Sequence, residues 1–312
     1  MRRKVKIIEV PCDLGAGTRG ASLGVDALRL EAASQNCLAY TEIPFQRVEA
    51  NNSMVNHSDP TPNAHYIAGI LDFYKQSAQA VNDALGKQEF PLVIAGDHST
   101  AAGSIAGIKK KYPKKRLGVI WVDAHADIHS PYTTPSGNVH GMPLAVALQF
   151  DNKGEAINQL SEVELKHWEE LKKVGGNEPK ILPEDIVYIG VRDTEEQEDI
   201  IVERLKIPNI SVRAARNLGM AATADKALSR LNDCDLIYVS FDVDSMDPSV
   251  SMGTGTPVPN GFSSEEAVEL LGRLLDDPKV QCLEVVEINP LLDEKNKMAK
   301  AVLEILSDLF AW

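Results

Sequence analysis

Three short fragments carry the chemistry of this sequence. The first is Asp123-Ala124-His125-Ala126-Asp127, at the end of the apolar run from Leu117 to Val122. Side chains alternate faces along an extended chain, so Asp123, His125 and Asp127 share a face if the extension persists, and surround one point with two carboxylates and an imidazole. Such a cluster calls for a cation. Gly96-Asp97-His98-Ser99 follows the run from Leu92 to Ala95, and Ser240-Phe241-Asp242-Val243-Asp244 follows the run from Leu236 to Val239. His98, Asp123, His125, Asp127, Asp242 and Asp244 together are four carboxylates and two imidazoles, too much like charge to crowd without compensation. Two divalent ions neutralise four carboxylates, and a carboxylate-dominated set suits Mn²⁺ better than thiolate-favouring ions. One Asp-x-Asp or Asp-His pair alone is more often a turn or cap; three at strand ends favour a metal site.

Two further groups lie near these fragments in sequence or type. The polar loop Thr133 to Gly141 contains His140, whose ordinary pKa lets it exchange protons near neutrality. Glu287, in Glu284-Val285-Val286-Glu287-Ile288-Asn289-Pro290, is an acid at the end of an apolar strand and needs a partner, either a substrate cation or a structural ion pair. Gly15-Ala16-Gly17-Thr18-Arg19-Gly20 satisfies G-x-G-x-x-G, with Glu42 about 20 residues on, and raises the rival class of an NAD-dependent oxidoreductase. Its register is wrong: Pro11 to Leu14 separate the strand from the first glycine, and Gly24 delays the helix that would receive a pyrophosphate.

These fragments sit on a repeating strand and helix pattern. Strands are expected at Val5 to Val10, Leu38 to Ile43, Leu92 to Ala95, Leu117 to Val122, Ile186 to Ile189, Ile210 to Val212, Leu236 to Phe241 and Cys282 to Ile288. Helices are expected over about Val25 to Ala33, Ala64 to Leu85 and Glu162 to Lys173, with a surface loop at 45–63. Alternating short strands and helices imply a parallel sheet covered on both faces, and ligands of such sheets bind at the carboxyl ends of the strands. Asp151 to Glu184 reads as a surface excursion, so one domain over residues 1–312 is the simplest organisation. The net charge of −13 argues against nucleic acid or an anionic membrane and favours a small cationic substrate. Cys12, Cys37, Cys234 and Cys282 lack CxxC spacing and read as reduced thiols of a cytoplasmic protein. The basic start, Met1-Arg2-Arg3-Lys4, precedes an apolar run too short for a signal peptide, and no window reaches the roughly 18 apolar residues of a membrane helix.

The motifs resemble those of the ureohydrolases. Gly-Asp-His-Ser at 96–99, Asp-Ala-His-Ala-Asp-Ile at 123–128, Ser-Gly-Asn-Val-His-Gly at 136–141, Ser-Phe-Asp-Val-Asp at 240–244, Gly-Thr-Gly-Thr-Pro at 253–257 and Glu-Ile-Asn-Pro at 287–290 occur in that family's order. Ser-Gly-Asn-x-His-Gly is typical of arginase rather than agmatinase. The resemblance implies a three-layer αβα fold on a mainly parallel eight-stranded sheet, a homo-oligomer (trimer or hexamer), and two Mn²⁺ ions. His98, Asp123, Asp127 and Asp242 would hold one ion, and Asp123, His125, Asp242 and Asp244 the other. A metal-bridging hydroxide would attack the guanidinium carbon of L-arginine, giving L-ornithine and urea. Asp127 would assist proton transfer, His140 would shuttle protons and Glu287 would pair with the guanidinium. Ser136 and Asn138 would contact the α-carboxylate, Thr256 would lie near the guanidinium, and Glu195 would meet the α-amino group. Two positions depart from the animal arginases: Glu195 replaces an Asp, and His129 replaces a carboxylate-binding Asn. The neighbouring substrates are agmatine, guanidinobutyrate and formimidoylglutamate.

Overall fold

Phe90–Ala95 and Leu117–Val122 lack polar alternation, and every residue in both is buried. Strands of this kind need cover on both faces. The computed structural model, which describes residues 3–49 and 51–312, supplies that cover. Met1 and Arg2 of the basic start lie outside the described residues. Eight strands, β1 (Val5–Val10), β2 (Phe45–Arg47), β3 (Phe90–Ala95), β4 (Leu117–Val122), β5 (Ile186–Ile189), β6 (Asn209–Ile210), β7 (Leu236–Asp242) and β8 (Val280–Val286), form one sheet. Its order is β2-β1-β3-β8-β7-β4-β5-β6, and every pairing is parallel.

The helices are α1 (Gly24–Ser34), α2 (Leu38–Glu42), α3 (Ile67–Gly86), α4 (Ala101–Lys111), α5 (Pro143–Leu148), α6 (Glu162–Lys173), α7 (Glu196–Leu205), α8 (Val212–Leu218), α9 (Met220–Arg230), α10 (Ser264–Leu275) and α11 (Lys297–Phe310). Helices α3 to α7 pack on one face of the sheet, and α1, α2 and α8 to α11 on the other. Strand alternation divides the core between them. Val119 and Trp121 join the first layer and Ile120 and Val122 the second, which gives the three-layer αβα arrangement expected from the sequence. Among the described residues, no helix is long and apolar enough to cross a membrane, and the four cysteines are free.

Several local expectations fail. Leu38 to Ile43 is not the second strand: Leu38–Glu42 is helix α2, and β2 lies at 45–47, inside the expected loop. The run has no strict alternation and is too short for its apolar content to separate one helical turn from a strand. Tyr40 alone is buried in it, and Pro44 holds Ile43 extended, starting the strand later. Strand β6 stops at Ile210 because Ser211 caps α8, its Oγ accepting from Ala214 N at 3.3 Å. Strand β8 runs 280–286 rather than 282–288. The 151–184 excursion does carry α6, started by a Ser161/Glu164 capping box. It is anchored rather than loose: Trp168 is fully buried, and its Nε1 and Lys172 Nζ both donate to Asp151 Oδ1, at 2.8 and 2.6 Å.

Candidate metal centre and substrate cavity

Four adjacent strands of the sheet, β3, β8, β7 and β4, deliver the acidic and imidazole groups from their carboxyl ends. His98 follows β3, Asp123 to Asp127 follow β4, Asp242 ends β7 and Asp244 follows it, and Glu287 follows β8. Residues more than a hundred positions apart therefore meet over the middle of the sheet. Extended geometry does not persist through the Asp123–Asp127 triplet, because β4 stops at Val122. The side chains converge through a turn in which Asp127 is left-handed, with φ at 50°, and its carbonyl accepts from Leu144 N at 3.1 Å. Glu287, expected on the last strand, also lies beyond the strand's end with φ at 69°. Non-glycine residues in this region cost on the order of 1–3 kcal/mol and persist where surrounding structure enforces them.

His98 Nδ1 lies 3.1 Å from Asp123 Oδ2, 3.0 Å from Asp127 Oδ2 and 3.1 Å from Asp242 Oδ2. It is aligned for a hydrogen bond with none of them, and neither His98 Nδ1 nor Asp123 Oδ2 has any other hydrogen-bond partner. Four buried donor atoms thus face a common point. Beside them, His125 Nδ1 lies 3.1 Å from Asp244 Oδ2 and 3.6 Å from Asp123 Oδ1. Main-chain N–H groups hold the carboxylates in register: His125 N donates to Asp123 Oδ1 (2.7 Å), Asp244 N to Asp242 Oδ1 (2.8 Å) and Ala124 N to Asp244 Oδ1 (3.2 Å). One oxygen of each is tied down while the other faces the cluster.

Burial and mutual repulsion shape the electrostatics of Asp127 and Asp242. Burial, then the charge of Asp123, pushes Asp127 up to about 6. Burial followed by repulsion from Asp244 and Asp123 drives Asp242 well above the carboxylate range. A bound divalent ion reverses both effects, and the donor set of carboxylate oxygens and imidazole nitrogens fits hard or borderline cations. Two groups of these atoms, His98/Asp123/Asp127 and Asp123/His125/Asp244, each lie within 4.8 Å of one another and share Asp123, as a binuclear site requires.

A cavity of about 320 Å³ opens above the cluster, and every site residue expected from the sequence lines it except Asp123, which lies behind the rim of the floor. Glu287 Oε1 accepts from His98 N at 2.9 Å and faces His140 Nδ1 at 3.1 Å. Burial alone would lower the His140 pKa, but the Glu287 carboxylate outweighs it and raises it to about 9. Thr256 Oγ1 donates to Asp244 Oδ2 at 3.0 Å. At the far end, His129 Nε2 meets Glu195 Oε2 at 2.5 Å and its Nδ1 meets Thr133 Oγ1 at 3.1 Å. Both ring nitrogens are therefore engaged, and neither is free for a carboxylate. Gly15 to Gly20 form no phosphate cradle. Gly15 N donates to Asp97 Oδ2 at 2.8 Å, its carbonyl accepts from His140 N at 3.1 Å, and a side chain at Gly15 would collide with Ser99. Glu42, the acid a dinucleotide fingerprint needs, ends helix α2 instead of a strand.

The profile of the arginase family matches residues 3–311. The chain belongs to the arginase family. It is 34% identical to the arginase of Bacillus subtilis (strain 168) over 313 residues, covering 99% of this chain and 98% of that one. The crystal structure of that organism's arginase at 1.7 Å superposes with a TM-score of 0.83 at 33% identity, covering 99% and 98% of the two chains. The Entamoeba histolytica arginase, solved in complex with L-ornithine, superposes with a TM-score of 0.85 at 28% identity over the full length of both. As a member of the arginase family the protein is a ureohydrolase enzyme, and its His/Asp clusters suit a binuclear metal centre. Sequence reasoning missed one cavity residue of note in this arginase-family site. Glu198 is buried, receives Ile128 N at 3.2 Å and Glu195 N at 3.3 Å, and lies 3.7 Å from His129 Nε2. Burial first, then the Asp127 charge, raises it to about 8. The Glu195-x-x-Glu198 spacing at the start of a helix was the available signal.

Proposed function

We propose that this chain hydrolyses L-arginine to L-ornithine and urea with two Mn²⁺ ions at the base of the cavity. The observation that carries the metal half is His98 Nδ1, 3.0–3.1 Å from three carboxylate oxygens and hydrogen-bonded to none: donors surround an ion in this way, not a proton. His98, Asp123, Asp127 and Asp242 would hold one ion, and Asp123, His125, Asp242 and Asp244 the other. When bound, such a pair brings the ionisation of water near neutrality and withdraws charge developing at the substrate.

The chain's own residues do the rest. Glu287 has Oε1 committed to His98 N and His140, which leaves Oε2 to pair with the guanidinium and hold its carbon over the floor. Asp127 takes a proton from water and passes it toward the leaving amine. His140 carries a proton on the opposite wall and exchanges it with solvent. Thr256 steadies Asp244 near the guanidinium end. Ser136 and Asn138 bind the α-carboxylate and Glu195 the α-amino group, while His129 holds Glu195 rather than touching substrate, because both its nitrogens are taken. Relatives named arginase and the ornithine complex of the Entamoeba histolytica enzyme support this substrate.

A second reading is a substrate with two cationic ends, such as agmatine. It is favoured by the cavity lining, in which Glu195 and Glu198 stand beside His129, Asp193 adds a third acid and no Lys or Arg occurs. Urea release by the Mn²⁺-loaded protein, offered arginine, agmatine, guanidinobutyrate and, with formamide detection, formimidoylglutamate, decides between them. Preference for arginine supports the first reading; preference for agmatine reassigns the mouth and keeps the floor; no turnover of any removes the substrate assignment. We also read the chain as one domain over residues 1–312, cytoplasmic, and a trimer or hexamer, which sedimentation velocity checks.

A further inference from the structure

Glu284 is a fully buried carboxylate outside the cavity lining. Fully buried Glu9, by contrast, is paired with Arg29 and Arg47; Glu284 forms no ion pair among the described residues. A buried carboxyl group without an ion pair, and with Oε1 lacking a hydrogen-bond partner, is expensive, so its retention points to a use. Across the sheet, Trp121 of β4 is in register with Ser240 of β7, and Ser240 with Glu284 of β8. These three positions form a row beneath His98. The indole of Trp121 stacks on the imidazole at 4.2 Å between centroids and 4° between planes, fixing the ring's plane. Ser240 Oγ lies 2.8 Å from His98 Nε2. Tyr238 Oη lies 3.4 Å from Ser240 Oγ and 2.7 Å from Glu284 Oε2.

The proton positions follow from valence. A histidine that offers the Nδ1 lone pair to a cation must carry its proton on Nε2, and Ser240 Oγ is there to accept it. Tyr238 has a single proton and gives it to the nearer acceptor, Glu284 Oε2. Its oxygen then accepts from Ser240. All three protons point toward the carboxylate, and hydrogen bonds in such a chain polarise one another.

We propose that Glu284, acting through Tyr238 and Ser240, is a positioning residue that fixes His98 as an Nδ1 metal ligand and strengthens it as a donor. This inference rests on the metal centre of the proposed function. The test titrates the metal-free, full-length protein with Mn²⁺ while free Mn²⁺ is followed by electron paramagnetic resonance, and records thermal unfolding of the same metal-free samples. S240A, Y238F and E284Q should each weaken one Mn²⁺ equivalent more than the other, by about 10–100-fold, and E284D should recover part of the loss. Folded S240A and Y238F proteins with the wild-type isotherm would overturn the proposal even if their melting temperatures fall, since packing damage alone has that signature. A wild-type protein that binds no Mn²⁺ would instead remove the metal reading on which it stands.

Discussion

Glu287 and Glu195 belong to opposite ends of one cavity. The side chain of Glu287 is 3% exposed and that of Glu195 51%. At the floor, acidic groups are held by main-chain N–H donors from their own or a neighbouring strand end. At the mouth, Glu195 is held chiefly by one side chain, His129, and Ser136 is exposed on a loop. A change at the floor leaves buried charge without its partner, which is costly. A change at the mouth exchanges one solvated contact for another. On the proposed function, the floor would set the reaction type and the mouth the choice of substrate.

That contrast is open to attack, beginning with the largest effect. Asp127→Asn should reduce turnover by about 10²–10⁴-fold, the scale of a lost proton-transfer group, while largely keeping Mn²⁺ binding; a urea-release assay beside a Mn²⁺ isotherm checks this, and unchanged turnover would remove Asp127 from the mechanism. Saturation with Mn²⁺ at about 100 times its dissociation constant should stabilise the fold by about 2.7 kcal/mol for each ion bound. Hydrogen exchange should place the added protection at residues 97–99, 123–128 and 242–245 and not at 193–198; equal protection at both would dissolve the distinction. Glu287→Gln should lower kcat/KM by about 10–100-fold, as expected for a charge-assisted hydrogen bond worth about 1.5–3 kcal/mol, and native kinetics would exclude the guanidinium role. Glu195→Gln should have the smallest effect, up to about fivefold in kcat/KM for arginine, matching an exposed pair worth up to about 1 kcal/mol. Its clearer readout is the ratio of arginine to agmatine turnover.

The sequence exposed the floor more readily than the mouth, and for physical reasons. Ligand types at the ends of apolar runs are visible because burial makes those runs continuous, and a parallel sheet gathers its strand ends on one side. Even so, strand alternation groups Asp123, His125 and Asp127 on one face, whereas they meet in a turn with a left-handed Asp127; nothing in the local pattern encodes that. Helix α2 was hidden because five residues cannot display a period. His129 illustrates the limit at the mouth: its identity suggests a donor to substrate, but only the tertiary fold brings Glu195 and Thr133 to its two nitrogens. Ser240 and Glu284 stood in motifs already noticed, yet their shared row depends on β7 and β8 being neighbours, a fact of topology that neither segment carries alone.

The strand order has a consequence for how the molecule is made. β8, residues 280–286, is inserted between β3 and β7, so during synthesis the first seven strands leave two half-sheets with unpaired edges facing each other. Such edges are templates for wrong partners, and closing them requires contacts between residues 191 positions apart, as Leu92 with Leu283 shows, the kind of pairing that slows folding. His98 and Asp242 flank that gap. His98 and Asp242 come into register only when β8 pairs with both edges, so the cluster is assembled by that pairing and by neither half-sheet alone.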